Sequence, residues 1–244
     1  MKPKSSKEIK INIDGKALNC FIEKRKRKSI SIKVNENEEI EILCPYRVNY
    51  DYIEKIVIDK SEWIESALKR VRTAAKEKAN LENNIKEKYL FMGNEYKVKI
   101  TNEKIEKDYE IENEYIVLHG NKSREKSIIK KFYREKAEEI LKSRTEYYSA
   151  VIGVKPEIIK VKQLIRSWGI CSSRKSITYN WKLVMAPMEV IDYVIIHELC
   201  HLIHHNHSKE FWNEVIKYMP DYKKKKEWLR LNGVKIEIIA KKTA

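Results

Sequence analysis

Residues 192–207, DYVIIHELCHLIHHNH, hold five of the six histidines of this 244-residue chain. Histidine is neither a strong core residue nor a favoured helix former, so packing alone does not explain this clustering. The segment HELCH at 197–201 matches the pattern HExxH, in which positions i and i+4 lie on one face of a helix and two imidazoles can reach one metal ion. The apolar run before it, 193–196, indicates that this helix is buried. We therefore expect a metal site on a helix, with His197 and His201 as ligands.

The glutamate inside this pattern has a different expected role. Glu198 follows the first histidine directly, so it is not a ligand in this arrangement but lies beside the metal. A zinc ion lowers the pKa of a bound water from about 15.7 toward roughly 7. The pattern therefore predicts a bound Zn2+ and predicts Glu198 as the general base that takes the water's proton.

A catalytic zinc needs a third protein ligand and one open position. His207 follows His197 by ten residues, which is the third-ligand spacing of HExxHxxGxxH, although His204 stands where that pattern has glycine. In a continued helix His204 would approach the metal from nearly the same direction as the first two ligands. His205 would lie about 12 Å along the axis from His197. We expect His207 to be the third ligand, with His204, His205 and Glu214 as alternatives.

His207 can return to the metal only if the helix ends after His201. Asn206 is predicted to supply the turn, because asparagine tolerates a positive φ. Ser208 is then predicted to cap a following helix over 209–219.

Composition restricts the class of protein. The chain is 42% hydrophobic, which is enough for a core, and no apolar run is long enough to span a bilayer. The N-terminus lacks the apolar stretch of a secretory signal. The cysteines are scattered and form no CxxC pair, which favours reduced thiols over a disulfide framework. We expect a cytoplasmic protein without a membrane segment.

The net charge of +15 is compatible with nucleic acid or other acidic partners. The lysines are spread along the chain, however, and cluster only as KRKRK at 24–28 and KKKK at 223–226. A solvated surface is therefore favoured over a dedicated nucleic-acid site. A weak, salt-sensitive nucleic-acid association remains a prediction.

Apolar periodicity predicts an α+β chain. Residues 8–44 alternate as a β-meander with a turn at 14–15, and residues 50–79 have helical spacing. The polar stretch 76–88 is predicted to be an exposed connection.

A second β-rich stretch follows at 91–117, with His119 in a predicted loop, and 123–150 predicts a long amphipathic helix. We expect an N-terminal β-meander plus helix over 1–80 and a more helical domain over 81–244, with one continuous domain as the alternative.

The C-terminal motifs resemble the YgjP-like metallopeptidases, which are related to the SprT-like and WLM zinc proteins. The resemblance is carried by RSWGICS at 166–172, NWKL at 180–183, DYVIIHELCH at 192–201 and NHSKEFW at 206–212. It implies a zincin-like fold with a small sheet, a zinc ion held by His197, His201 and His207, and Glu198 as the catalytic acidic residue. The family usually has serine where this chain has Ile170.

The segment 166–171 allows two interpretations. It could line the cleft, with Arg166 or backbone amides contacting the substrate or a developing oxyanion. Alternatively, Trp168 and Cys171 pack beneath the helix and Gly169 permits close approach. Packing is favoured for Trp168 and Cys171, and Cys200 is expected in the core, whereas both interpretations stay open for Arg166.

The expected function is hydrolysis of a protein or peptide substrate. The main alternative is a zinc-containing protein or nucleic-acid binding module with little or no hydrolysis, although such a module has no use for Glu198. Hydrolysis of another amide is also open, because the metal chemistry is the same. The oligomeric state is not predicted.

Overall fold

The computed structural model describes residues 5–13, 16–85, 87–102 and 106–243. The chain divides into two compact units, Met1–Leu81 and Glu82–Ala244. This division lies one residue from the sequence-predicted boundary, and the assignment of the two parts as separate domains stays a prediction. In the part of the chain that the structure describes, no helix combines the length and apolar character that a bilayer span requires.

The first unit is built on a four-stranded sheet with strand order β1-β2-β4-β3. Its strands are β1 (Ser5–Ile13), β2 (Lys16–Arg25), β3 (Ser31–Val34) and β4 (Ile40–Pro45). Strands β2 and β4 are parallel neighbours, so the predicted meander is wrong in its strand order. Alternation in the sequence shows which face of each strand is apolar but not which strands are neighbours. The predicted turn at 14–15 lies outside the described residues.

Two helices follow in place of the single helical stretch expected over 50–79: α1 (Tyr50–Asp59) and α2 (Ser61–Asn84). The side chain of Asn49 caps α1 by accepting from the backbone N–H of Tyr52. The helix α2 continues to Asn84, so most of the connection predicted over 76–88 is helical. Lysine, glutamate and alanine are good helix formers without burial, which explains an exposed helical stretch here.

The second unit contains a four-stranded sheet with strand order β5-β6-β8-β7. Its strands are β5 (Tyr89–Phe91), β6 (Asn94–Thr101), β7 (Tyr109–Glu112) and β8 (Tyr115–His119). His119 ends β8 and is 6% exposed, so the loop predicted for it is wrong. The turn between β5 and β6 requires glycine, because Gly93 has φ +82° and a Cβ there would lie 2.8 Å from Pro187 Cγ. This contact fixes the chain just before the metal-site helix.

The long helix α3 (Glu125–Ile152) confirms the amphipathic helix expected over 123–150. Most of its apolar face is buried, including Phe132, Tyr133 and Leu141. It ends at Gly153, which adopts the left-handed conformation usual after a helix.

The remaining elements of the second unit surround the histidine cluster. A three-stranded sheet with order β10-β11-β9 is followed by three helices. The elements are β9 (Ile158–Lys162), β10 (Gly169–Cys171), β11 (Ser176–Asn180), α4 (Met188–Cys200), α5 (Lys209–Tyr218) and α6 (Tyr222–Lys242). The mixture of helices and small sheets confirms the α+β class.

Candidate metal centre

The helix α4 is buried along most of its length, which agrees with its apolar sequence. Its one buried acidic side chain outside the HExxH pattern, Asp192, is held by α3. The guanidinium of Arg144 donates to both carboxylate oxygens of Asp192 at 2.7 Å, and the hydroxyl of Tyr148 lies 3.2 Å from one of them. A bidentate pair has defined geometry, so it fixes the position of α4 relative to α3.

Three imidazoles converge at the C-terminal end of this helix. One ring nitrogen from each of His197, His201 and His207 lies within 4.8 Å of the others. The Nε2 atoms of His207 and His197 are 3.1 Å apart. Ligands at 2.0–2.1 Å in tetrahedral geometry stand about 3.3 Å from one another, so this spacing fits a zinc ion. Two facing imidazole nitrogens also need a proton or a cation between them.

The protonation of these rings fits metal binding as well. Burial lowers the pKa of His197 to about 3, and burial also lowers the pKa of His201, so both rings are neutral at neutral pH. The Nδ1 of His201 is 3.0 Å from the carbonyl oxygen of His204. This bond places the proton on Nδ1 and leaves the Nε2 lone pair free for a metal. The ring of Phe211 stacks on His201 and limits its rotation.

The end of α4 lies within one residue of the predicted end after His201. Helix α4 ends at Cys200, and the backbone N–H of His204 donates to the carbonyl of Cys200 in a tight turn. Asn206 does not adopt a positive φ, so that expectation is wrong. Instead its side chain accepts from the backbone N–H of Ser208 at 3.2 Å. Ser208 caps α5 by accepting from the N–H of Phe211, which confirms the predicted cap.

The alternative residues for the third metal ligand do not point their side chains into the histidine cluster. His204 offers the cluster a main-chain carbonyl, while its own ring is not part of the converging group. His205 is exposed. The carboxylate of Glu214 is 2.5 Å from the ammonium of Lys217, whose hydrogen bond lowers the pKa of Glu214. Of the candidates, His207 is the one that the fold brings beside His197 and His201.

Glu198 points from α4 toward strand β10. Its side chain is 5% exposed, and its carboxylate accepts from the backbone N–H of Cys171. Burial raises the pKa of Glu198 to about 7, while the Cys171 hydrogen bond opposes the shift. A Cβ on Gly169 would lie 2.6 Å from both Cγ and Oε1 of Glu198, so any larger residue would displace the carboxylate. The close approach expected at Gly169 is therefore confirmed.

A comparison with protein families identifies the family of this chain. The model of the YgjP-like metallopeptidase domain matches residues 28–232. The chain belongs to the YgjP-like metallopeptidase family. It is therefore a peptidase, a hydrolase that takes a protein or peptide substrate. The family match includes residues of both compact units as well as all three converging histidines.

Among solved structures, the chain is similar to the metallopeptidase zymogen abylysin of Pyrococcus abyssi. The identity is 25% and the TM-score 0.35, over 38% of this chain and 92% of abylysin. A search of curated proteins gave no match.

In this YgjP-like chain a cleft of about 370 Å3 opens in front of Glu198. Trp168 and Tyr193 line it, and Lys226 and Leu229 of α6 form part of its wall. Trp168 is half-buried and lines the cleft, so the favoured interpretation as a residue packed beneath the helix is incomplete. Cys171 is also half-buried, whereas Cys200 is fully buried as expected.

Arg166 is exposed and is not among the residues that line this cleft. It belongs to the loop before β10, which is held by Asn180. The side chain of Asn180 donates to the carbonyls of Leu164 and Ser167 at 3.0 and 3.2 Å. Asn180 belongs to the motif NWKL, but the sequence alone does not indicate this role, because the burial that makes its amide need partners is known only from the fold.

Sequence reasoning also missed the α6 wall. The stretch KKKK at 223–226 was interpreted as solvated surface, although the spacing of Lys226, Leu229 and Arg230 places these residues on one helical face. That spacing could have shown that one lysine shares a face with an apolar residue, but not that the face lines the site.

Proposed function

We propose that this peptidase is zinc-dependent, with His197, His201 and His207 as the ligands and Glu198 as the proton acceptor. The observation that carries the proposal is the position of Glu198: a buried carboxylate, beside three converging histidines, directly against the glycine of an edge strand. Neutral imidazoles favour zinc over magnesium or calcium, which prefer oxygen ligands. When bound there, zinc supplies Lewis-acid chemistry toward a carbonyl group and toward water.

The strand β10 offers a place for an extended peptide. Its partner β11 lies on one side, where the N–H of Asn180 donates to the carbonyl of Trp168. Because hydrogen bonding alternates along an antiparallel pair, the backbone groups of Gly169 and Cys171 point to the other side. The Cys171 N–H on that side reaches Glu198. An extended substrate paired with Gly169 would therefore pass directly in front of the carboxylate.

The chemical step needs one residue that accepts and then donates a proton. Glu198 takes a proton from the attacking water as the water oxygen bonds to the peptide carbonyl carbon. The same carboxyl group then gives that proton to the amine nitrogen as the carbon–nitrogen bond breaks. Arg166 is proposed as a contact to the substrate or its developing oxyanion from the loop before β10, outside the cleft wall.

The proposal is tested by Glu198→Gln, which preserves size but removes the proton acceptor. Both proteins should contain one zinc per chain by elemental analysis. Labelling of new N-termini in a peptide library should show cleavage by the wild type, and the variant should be slower by about 100-fold or more. Cleavage by the variant at the wild-type rate would remove Glu198 from this role.

The alternative of a zinc-containing binding module predicts a different outcome: zinc in both proteins and cleavage products in neither. The buried carboxylate supports hydrolysis over this alternative, since burying Glu198 has a desolvation cost that pure binding does not require. None of the contacts described around the site favours nucleic acid, which stays a prediction from the net charge.

A further inference from the structure

The cleft in front of Glu198 has a cationic side chain on its α6 wall. Lys226, Leu229 and Arg230 all line the cleft, and their spacing places them on one face of α6. Trp168 and Tyr193 also line the cleft. The cleft thus combines aromatic and aliphatic surface with positive charge.

The cations near this wall differ in how they are paired. The guanidinium of Arg230 donates to Glu227 at 2.6 and 2.7 Å. The ammonium of Lys225 lies 3.0 Å from Glu189 and 3.1 Å from Asp221. Lys226, by contrast, has no carboxylate partner within the described ranges of the chain. Its ammonium lies over the ring of Trp212, 5.2 Å from the centroid.

Lys226 is also close to the histidine cluster. Trp212 is itself 5.8 Å from the ring of His197, between ring centroids. The charge of Lys226 contributes to the lowered pKa of His197, after burial and the neighbouring histidines. Lys226 is exposed, and an ammonium in this position can attract an anionic group of a substrate bound at Glu198.

We infer that Lys226 determines specificity by binding a carboxylate of the peptide next to the cleaved bond. The inference rests on the proposed peptidase function and names its substrate class: peptides with a carboxylate at that position. Aspartate or glutamate side chains and a free chain terminus both supply this group. Trp168 and Tyr193 then contact the apolar part of the same residue.

The test uses peptides that differ only at the positions flanking the cleaved bond, which carry glutamate, glutamine or lysine, each with a free or an amidated C-terminus. Wild-type kcat/KM should favour glutamate over glutamine by about tenfold, the size of a charged hydrogen bond. If the chain terminus is the source instead, kcat/KM should be higher for the free than for the amidated terminus by a similar factor, with no preference between glutamate and glutamine. Lys226→Met should bring the ratio close to one, Lys226→Arg should keep it, and Lys226→Glu should shift it toward lysine.

Lys224→Met is the matched control, because Lys224 is an exposed lysine of the same helix outside the cleft. It should keep both the rate and the preference. Zinc content is measured for each variant, so that a loss of the metal site is not mistaken for a change in specificity. A wild-type ratio near one for every carboxylate source, or a preference that survives Lys226→Met, would overturn the inference.

A binding assay separates this inference from the peptidase proposal. The affinity of the same peptides is measured for Glu198→Gln protein with and without Lys226→Met. If the wild type cleaves nothing, the proposed function fails, yet a Lys226-dependent preference for the carboxylate in binding would support the inference. Cleavage or binding without any such preference would reject the inference and leave the peptidase proposal standing.

Discussion

Gly169 determines where Glu198 can lie, because a glycine has no side chain and leaves space for the carboxylate. A methyl group at this position would come within 2.6 Å of the carboxylate, and strand β10 is fixed to β11 on its other side. Glu198 would have to move, because the backbone of β10 cannot retreat without breaking its sheet.

We therefore expect Gly169→Ala to keep zinc and to lower kcat/KM by about 100-fold, since a displacement of about 1 Å can cost that much. Gly233→Ala is the matched control: its Cβ would lie 3.5 Å from Trp168 Cζ2, an ordinary contact. Wild-type kinetics in Gly169→Ala would show that Glu198 can relocate without consequence, against the proposed role.

The identity of the third ligand gives a second prediction at this scale. His207→Ala should weaken zinc affinity by orders of magnitude, because its ring nitrogen lies 3.1 Å from that of His197. His204→Ala should change it little, since His204 contributes a main-chain carbonyl that survives the substitution. His205→Ala is the exposed control. Competition with a chelator measures the three affinities, and loss of the metal in His204→Ala alone would contradict the assignment.

At the scale of single elements, the loop before β10 depends on one buried amide. Asn180 donates to two carbonyls of this loop, while its backbone N–H donates to Trp168. Asn180→Ala leaves those two carbonyls without their donor, at a cost of about 1–3 kcal/mol for each buried group.

We expect Asn180→Ala to lower the free energy of unfolding by about 2 kcal/mol and to raise KM more than it lowers kcat, because the loop positions Trp168 and β10 but not the histidines. Urea unfolding and steady-state kinetics measure the two effects. The control Asn232→Ala removes one amide hydrogen bond within α6 and should leave KM unchanged. An unchanged KM in Asn180→Ala would show that the loop is not held by this amide.

The elements that the sequence predicted best are those with a local signal. Helix α3 follows from its apolar period, and the start of α5 follows from Ser208 as a cap. The strand neighbours of the first sheet could not be predicted, because alternation carries no information about which strands pair. The end of α4 next to His201 was predicted, but the turn that follows was not, because it is stabilised by backbone hydrogen bonds that no residue type in 201–206 signals.

Contacts between residues that are distant in the sequence were also not predicted at the site. The spacing of the histidines alone brought His197, His201 and His207 together in the prediction. Glu198 is surrounded by Gly169, which precedes it in the sequence, and by residues of α6, which follow it. Both are far from Glu198 along the chain. A single sequence shows that glycine permits close approach but not what approaches, so the contact became known only from the fold.

For the whole molecule, the net charge of +15 is a weak guide to partners. Many of the basic side chains are paired with carboxylates, such as Lys131 with Asp108 and Arg72 with Glu38. Nucleic-acid association therefore stays a sequence-based prediction. If it occurs, its affinity should fall steeply with added salt.

Two ion pairs that join distant parts of the chain contribute to the acid sensitivity of the second unit. Glu95 of β6 lies 2.6 Å from Lys88 and 2.8 Å from Lys235 of α6. Hydrogen bonds from Lys235 and then Lys88 lower the pKa of Glu95 from 4.5 to about 2. The folded state therefore binds this proton less readily than the unfolded chain does.

The sign of the effect follows from that difference. Above pH 4.5 the carboxylate is ionised in both states and the ion pairs contribute their full stability, which is lost as the pH falls toward about 2. The stability difference between the wild type and Glu95→Gln should thus be constant from pH 7 to 5 and shrink below 4.5. The side chain is 41% exposed, so solvent screening keeps the difference small. Urea midpoints of the metal-free proteins measure it, with Glu146→Gln as the exposed control. A difference that is as large at pH 3 as at pH 7 would show that Glu95 acts by packing and not by charge.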